Sequence, residues 1–344
     1  MLNVNGHKNF TACGDQEAEM LLEKVLSEIR ETLSGSDFSV VLGGSYGRGN
    51  GGVRLDRENG ILYNDLDFFV FARRKSAGAA DKLKAIAEKY EHLLKVDVDF
   101  SSLMTVRDIK NNASRLMMQE LKRGYVSVYG EDLLEEYLAE IPAEKLPFSE
   151  ACRLLLNRGM GLLLAGEKIS EGSGDTDFIL RNLYKAILGA CDAMLIADGN
   201  YLWTIAERLD FIEKSELPDT WKTLYREAVT FKSSPDRTLK EDMISFWNSV
   251  RDLFQFALRS VSGGAEYKDF CSEIYTRCRK GGETSLKNYI KYCIKSRSMP
   301  LKNWKYHTVP AAALLAAEIS PALNTMPEKI DKQSKLYRHW LIFN

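Results

Sequence analysis

The patterns typical of β-strands are concentrated before residue 145, and long helical patterns fill the rest of the chain. The strongest strand candidate is the apolar run LDFFVFA over residues 66–72. Shorter runs also predict strands, over 38–42, 96–100 and 125–129. Helical spacing of apolar residues predicts helices over 15–33, 79–94 and 106–122. We therefore expect an α+β fold, in which a small mixed β-sheet with flanking helices is followed by an all-helical domain.

The change of pattern near Pro142 and Pro147 gives the expected domain boundaries. We predict a first domain over residues 1–145, a helical domain over 146–265, and a helical, basic C-terminal extension over 266–344. The predicted helices of this part cover 150–164, 176–197, 202–214, 221–231, 239–261, 267–279 and 309–319.

Composition excludes several classes of protein. The chain has 344 residues, of which 45% are apolar and 28% charged, as in soluble globular proteins. It lacks both a secretory signal pattern and an apolar run long enough to cross a bilayer. The net charge of -1 provides no overall attraction to nucleic acid or a membrane, so we expect no membrane partner. The cysteines are scattered and lack a zinc-ligand spacing: Cys13, Cys152, Cys191, Cys271, Cys278 and Cys293. We expect them to be reduced, which favours a cytoplasmic location.

A glycine-rich segment, GGSYGRG over residues 43–49, directly follows the predicted strand 38–42. Glycines there allow a sharp turn and a close approach of the backbone to a ligand, and successive N–H groups then bind an anion. Ser45 adds a hydroxyl group, and Arg48 adds a planar cation suited to phosphate oxygens. The segment lacks the lysine of a P-loop and the spacing of a dinucleotide-binding fingerprint.

Carboxylates follow on two predicted strands. Asp65 and Asp67 begin the run 66–72 and share one face, because side chains alternate along a strand. Asp97 and Asp99 share a face of the strand 96–100. If the two strands are neighbours, three carboxylates meet, and their mutual repulsion is relieved by a hard dication such as Mg²⁺.

Together these motifs resemble the DNA polymerase beta-like nucleotidyltransferase superfamily, including aminoglycoside and minimal nucleotidyltransferases. The resemblance covers about residues 36–105, less than a third of the chain. It implies that a nucleoside triphosphate such as ATP is bound by Gly44, Ser45 and Arg48. It also implies that Asp65, Asp67 and Asp99 are the catalytic residues and ligands of two Mg²⁺ ions, with Asp97 as the rival of Asp99.

The segment 50–64 is longer than the gap that the superfamily usually has here. We expect a hairpin with its turn at Asn59-Gly60, and a flap that brings Arg54 or Arg57 to phosphate is compatible with it. In the helical part, Arg181 and Lys185 faintly resemble triphosphate-binding residues, although a solvated helix face is the simpler interpretation.

A basic run near the C-terminus is interleaved with aromatic residues. The basic residues are Lys287, Lys291, Lys295, Arg297, Lys302 and Lys305, and the aromatic residues are Tyr289, Tyr292, Trp304 and Tyr306. Such a run suits binding of single-stranded nucleic acid, but an exposed helix stripe is the interpretation we favour. Tyr201, Trp203 and Trp221 are core residues or line a pocket.

The sequence thus predicts a metal-dependent nucleotidyltransferase that transfers a nucleoside monophosphate to an acceptor hydroxyl, with release of pyrophosphate. A small-molecule acceptor is favoured. The alternatives are a toxin–antitoxin type enzyme that modifies RNA or protein, and a non-catalytic nucleotide-binding or interaction protein.

Overall fold

The computed structural model describes residues 9–54, 60–75, 79–238, 240, 242–265, 269–301 and 304–343. The chain forms two compact units. The first consists of residues 1–141 and 230–236, and the second of residues 142–229 and 237–344.

The first unit is built on a five-stranded mixed sheet. Its strands are β1 (Ser39–Leu42), β2 (Leu66–Ala72), β3 (Val98–Phe100), β4 (Met104–Thr105) and β5 (Val126–Tyr129). The order is β3-β2-β1-β5, and β4 also pairs with β2. Strand β1 is antiparallel to β2 and β5, whereas β3 and β4 run parallel to β2. The predicted fold class, α+β with a small mixed sheet, is confirmed at this level.

Helices cover both faces of this sheet. They are α1 (Gln16–Thr32), α2 (Gly44–Gly47), α3 (Ala79–Leu94), α4 (Val106–Asn111), α5 (Leu116–Arg123) and α6 (Leu133–Tyr137). Leu66, Phe68 and Val70 share a core with α1 and α3, as the alternation along β2 predicts. Phe71, on the opposite face, shares a second core with α4, α5 and α6. Asp67 belongs to this second face by alternation, so β2 carries the acidic pair at the start of a strand buried on both sides.

The predicted helix over 106–122 is wrong as a single element. Helix α4 begins at a capping box, in which the Thr105 hydroxyl accepts from Asp108 N and Asp108 Oδ2 accepts from Thr105 N. It ends where Asn112 Nδ2 donates to Asp108 O at 2.8 Å, a side-chain bond that competes with continued helix. The helical spacing of apolar residues nevertheless continues across this break, since Ile109 of α4 and Leu121 of α5 pack in the same core.

The described part of the second unit is helical. Its helices are α7 (Phe148–Ser170), α8 (Thr176–Ala197), α9 (Ile205–Lys214), α10 (Asp219–Ser233, with residues 230–233 in the first unit), α11 (Met243–Val261), α12 (Phe270–Lys280), α13 (Leu286–Ser296), α14 (Ala311–Ala322) and α15 (Lys335–Phe343). Trp247 of α11 is fully buried and donates from Nε1 to Leu162 O of α7 at 2.9 Å. Within the described residues, none of the helices has the length and apolar character needed to span a membrane.

Candidate functional site

The glycine-rich segment lies directly beside the acidic strand. Gly43 N donates to Asp67 O at 2.8 Å, which extends the pairing of β1 with β2 into the loop. Gly44 then has φ of +61°, and a Cβ placed on it would stand 2.1 Å from Asp67 Oδ2. A side chain at Gly44 is therefore excluded both by backbone conformation and by the Asp67 carboxylate. The short helix α2 starts at this contact.

Tyr46, which sequence reasoning did not select, fixes the start of β2. Its buried hydroxyl donates to Gly52 O at 2.8 Å and accepts from Tyr63 N at 3.0 Å and Asn64 N at 3.3 Å. Burial raises the pKa of Tyr46 well above its ordinary value, so the phenol stays protonated. Asn64 Oδ1 accepts in turn from Gly52 N at 2.7 Å. Because Asn64 directly precedes Asp65, this network fixes the backbone from which the first carboxylate extends.

The inserted segment returns on itself in its described residues. Val53 and Leu62 form an antiparallel bridge, and Arg54 N donates to Ile61 O at 2.8 Å. These contacts agree with the predicted hairpin. The Arg54 guanidinium donates to Leu62 O at 2.8 Å and to Lys95 O at 3.2 Å, so it braces this hairpin. Arg57 and Asn59 lie outside the described residues.

The acidic residues of β2 and β3 are in register. Asp67 pairs with Asp99 across the parallel strands, and Leu66 N donates to Asp97 O at 2.9 Å. Register and alternation thus place the carboxylates of Asp65, Asp67 and Asp99 on one face. Partial loss of hydration raises the pKa of Asp99, and the negative charges of Asp97, Asp65 and Glu91 raise it further. Of the three acidic residues predicted as a cluster, Asp65 thus acts electrostatically on Asp99.

The chemistry of this donor set fits a hard divalent cation, because carboxylate oxygens are the ligands that Mg²⁺ prefers. Among the residues that the structure describes, no group of three His, Cys, Asp or Glu side chains is already arranged to hold a metal ion. The backbone register of β2 and β3 nevertheless places Asp67 beside Asp99.

Ser45 and Arg48 occupy the helical turn and its end. Ser45 is half-buried, and its carbonyl accepts from Asn50 N at 2.8 Å. Arg48 stacks its stem against Gly124, where a Cβ would stand 2.5 Å from Arg48 Cγ. The Arg48 guanidinium lies 3.7 Å from Glu120, and about a quarter of each side chain is exposed. A partly exposed ion pair at this distance contributes little to stability, about 0–1 kcal/mol.

A groove borders Asp99 on the α3 side of β3. Its volume is about 560 Å³, which lies in the range of small-molecule sites. Apolar and charged residues share the lining, among them Ala80, Leu83, Lys84, Glu88 and Ser101.

The candidates in the helical unit have structural partners. Arg181 pairs with Asp177 at 2.5 Å, one turn away on α8. Tyr201 is buried, with its ring edge-on to Trp203 at 5.2 Å and its hydroxyl accepting from Arg208. These contacts agree with the core interpretation of Tyr201.

No protein-family model and no curated protein matches the sequence.

Proposed function

We propose that this chain is a magnesium-dependent nucleotidyltransferase with its active site in the first unit, as a member of the polymerase beta-like superfamily. The observation that supports this most strongly is the contact of Gly44 with the Asp67 carboxylate. It joins a phosphate-binding type of loop to a strand whose second carboxylate is in register with Asp99. Neither a plain turn nor a solvated strand edge requires such a close approach.

In this proposal the carboxylates of Asp65, Asp67 and Asp99 hold the metal. When bound, Mg²⁺ supplies charge neutralisation at the α-phosphate and at the pyrophosphate that leaves. Gly44 and Ser45 contribute backbone N–H groups and a hydroxyl to the triphosphate, and Arg48 contributes its guanidinium.

An acceptor hydroxyl attacks the α-phosphorus, a new P–O bond forms, and the bond to pyrophosphate breaks. The proton of the hydroxyl goes to a carboxylate at the start of β3. The two candidates are Asp99 on β3 and Asp97, which directly precedes this strand.

The acceptor that we propose is a small molecule. The net charge of -1 supports this choice, because it provides no overall attraction to an anionic polymer such as RNA. A cytoplasmic location is part of the same proposal, and the buried thiols of Cys152, Cys191 and Cys278 agree with a reducing compartment.

The test is transfer of label from the α-phosphate of each nucleoside triphosphate, with pyrophosphate release measured in parallel. Acceptors are offered as pools of sugars and aminoglycosides, as RNA, and as proteins. Asp65→Asn should abolish transfer, whereas Asp81→Asn, an exposed carboxylate on α3, should leave it unchanged. Asp97→Asn and Asp99→Asn then identify the third carboxylate. Label on RNA or protein alone would replace the small-molecule acceptor, and no label with any acceptor would contradict the enzyme proposal.

A further inference from the structure

An apolar and basic patch lies far along the sequence from the proposed active site. Thirteen large hydrophobic side chains are exposed among the described residues, and six of them fall within residues 286–304. They are Leu286, Ile290 and Ile294 of α13, followed by Met299, Leu301 and Trp304, with exposed fractions from 49% to 75%. We call these six residues the C-terminal patch. Scattered apolar residues are normal on a surface, but this concentration in one segment is not.

The exposed half of α13 is divided into two sectors. At about 100° per residue, Leu286, Ile290 and Ile294 cover an arc of about 80°. Lys287 and Lys291, with Lys295, cover the adjoining arc, and these lysines are exposed. The remaining half of the helix faces the protein, where Tyr292 is buried. An aliphatic sector beside a lysine sector is the arrangement of a helix that lies in a membrane interface.

The residues after α13 extend the aliphatic sector. Tyr289, which borders that sector, lies with its ring 6.1 Å from the ring of Trp304. The Tyr289 hydroxyl donates to Pro300 O at 3.5 Å, between exposed Met299 and Leu301. Tyr289 thus connects both parts of the C-terminal patch. Tryptophan and tyrosine are the residues enriched at the level of lipid headgroups.

The charge of this segment is of one sign. Residues 284–310 contain six lysines and arginines and no aspartate or glutamate. The nearest acidic residue in sequence, Glu283, accepts from Ser149 N at the start of α7. The net charge of the whole chain conceals this local excess, which is why composition alone gave no reason to expect a membrane surface.

Nucleic acid suits the patch less well. Binding to single strands depends on aromatic rings that are open for stacking. Of the four aromatic residues interleaved with the basic run, only Trp304 is exposed. Tyr292 is stacked on Phe343 at 5.6 Å, and the Tyr306 ring lies edge-on to Tyr275 at 5.5 Å. A protein partner is also less well matched, because lysine is depleted at the centres of protein interfaces.

We propose that the C-terminal patch docks the protein reversibly onto an anionic lipid surface. The aliphatic side chains enter the headgroup region, and the lysines and Arg297 contact lipid phosphates and carboxylates. This proposal concerns a helix that lies on a membrane, and it is independent of the proposed transferase activity.

The test is co-flotation of the full chain with vesicles. We expect binding to an equimolar mixture of phosphatidylcholine and phosphatidylserine, and little binding to phosphatidylcholine alone. Added salt should weaken it, because the attraction is screened. The double variant Ile290→Gln/Ile294→Gln should lose at least roughly tenfold in partition coefficient through the lost apolar burial. Lys287→Gln/Lys291→Gln should lose roughly fivefold for each lysine.

Matched controls separate the patch from general effects. Ile244→Gln changes an isoleucine of α11 that is 54% exposed, against 49% for Ile290. Lys24→Gln/Lys214→Gln removes two exposed lysines elsewhere. Both controls should bind as the wild type does. Absence of flotation with the anionic vesicles, or flotation that the patch variants leave unchanged, would overturn the proposal. Binding of single-stranded RNA or self-association that replaces vesicle binding would do the same.

Discussion

Gly44 stands against the carboxylate of Asp67 so closely that a Cβ on the glycine would lie 2.1 Å from Asp67 Oδ2. The glycine loop and the acidic strand therefore meet at this contact, between residues that are 23 positions apart in the sequence. The proposed function depends on the contact between Gly44 and Asp67, and a substitution of Gly44 can disturb this contact without changing any charge.

Replacement of Gly44 by alanine should disable the site. The positive φ alone costs about 1–2 kcal/mol for a residue with a Cβ, and the clash with Asp67 adds displacement of the carboxylate. We expect a lower free energy of unfolding and loss of nucleotide binding, measured by urea denaturation and by titration with triphosphate. Gly35→Ala is the matched control, because Gly35 has φ of +78° and open space around it. Equal nucleotide binding by both variants would argue against a role for the Gly44 contact.

Tyr46→Phe tests the network that fixes the start of β2. The substitution removes a buried hydroxyl and leaves Tyr63 N, Asn64 N and Gly52 O without that partner. Each such loss costs about 1–3 kcal/mol, so urea denaturation should show a clear drop in the free energy of unfolding. Tyr129→Phe, which removes one bond of a half-buried tyrosine to Ser36 O, should cost less. If the two variants were equally stable, the Tyr46 network would not be what holds the segment.

Arg48→Gln should reduce triphosphate affinity and barely change stability. Its ion pair with Glu120 is partly exposed, and such pairs contribute about 0–1 kcal/mol. A charge-assisted bond to phosphate contributes about 1.5–3 kcal/mol, so calorimetric titration should show affinity reduced roughly tenfold or more. Arg73→Gln removes an arginine that is paired with Glu131 and Glu136 in the same unit and should leave affinity unchanged. A large loss of stability in Arg48→Gln would instead indicate a structural role.

Two glutamates of the helical unit should affect the pH dependence of the free energy of unfolding in opposite directions. Burial raises the pKa of Glu283, so its carboxyl group binds a proton more tightly in the folded state than in the unfolded chain. The protonated carboxyl therefore contributes to the free energy of unfolding at low pH, and this contribution is lost as pH rises above about 4.5. Hydrogen bonds from Thr204 lower the pKa of Glu207. The ionised Glu207 therefore contributes to the free energy of unfolding at neutral pH, and this contribution is lost as pH falls into the acid range.

Glu283→Gln should therefore become more stable relative to the wild type as pH rises from acid to neutral, whereas Glu207→Gln should become less stable. Melting temperatures across that range are the measurement. If the difference between wild type and Glu283→Gln were constant with pH, the buried carboxyl would not titrate as described.

The sequence predicted the elements whose apolar pattern is regular. Strand β2 and helix α3 have the predicted bounds. A continuous apolar run defines the strand, and a regular helical spacing of apolar residues defines the helix. The same alternation correctly placed Leu66, Phe68 and Val70 in one core. Elements that depend on a single local bond were harder to predict, as the break at Asn112 shows, where one side-chain amide ends α4 while the apolar period continues.

For the site, the sequence identified the residue types and the shared faces of Asp65, Asp67 and Asp99, which the register of β2 and β3 supports. The roles of these residues stay predictions. It did not identify Tyr46, because the three groups that this hydroxyl contacts lie 6 to 18 residues away and meet only through the path of the loop. Likewise, the spacing of the C-terminal lysines predicted an exposed stripe, but which aromatic rings are packed depends on α15 and the rest of the helical unit.

The most direct test of the central claim is thermal unfolding with each nucleoside triphosphate, first with magnesium and then with EDTA, for the wild type and for Asp65→Asn/Asp67→Asn. A ligand at a hundredfold over its dissociation constant adds about 2.7 kcal/mol, which corresponds to a shift of roughly 2–4 °C or more in a chain of this size. The proposed site predicts a shift that requires magnesium and is absent in the double variant. A melting temperature that no triphosphate changes, or a shift that the double variant retains, would contradict it.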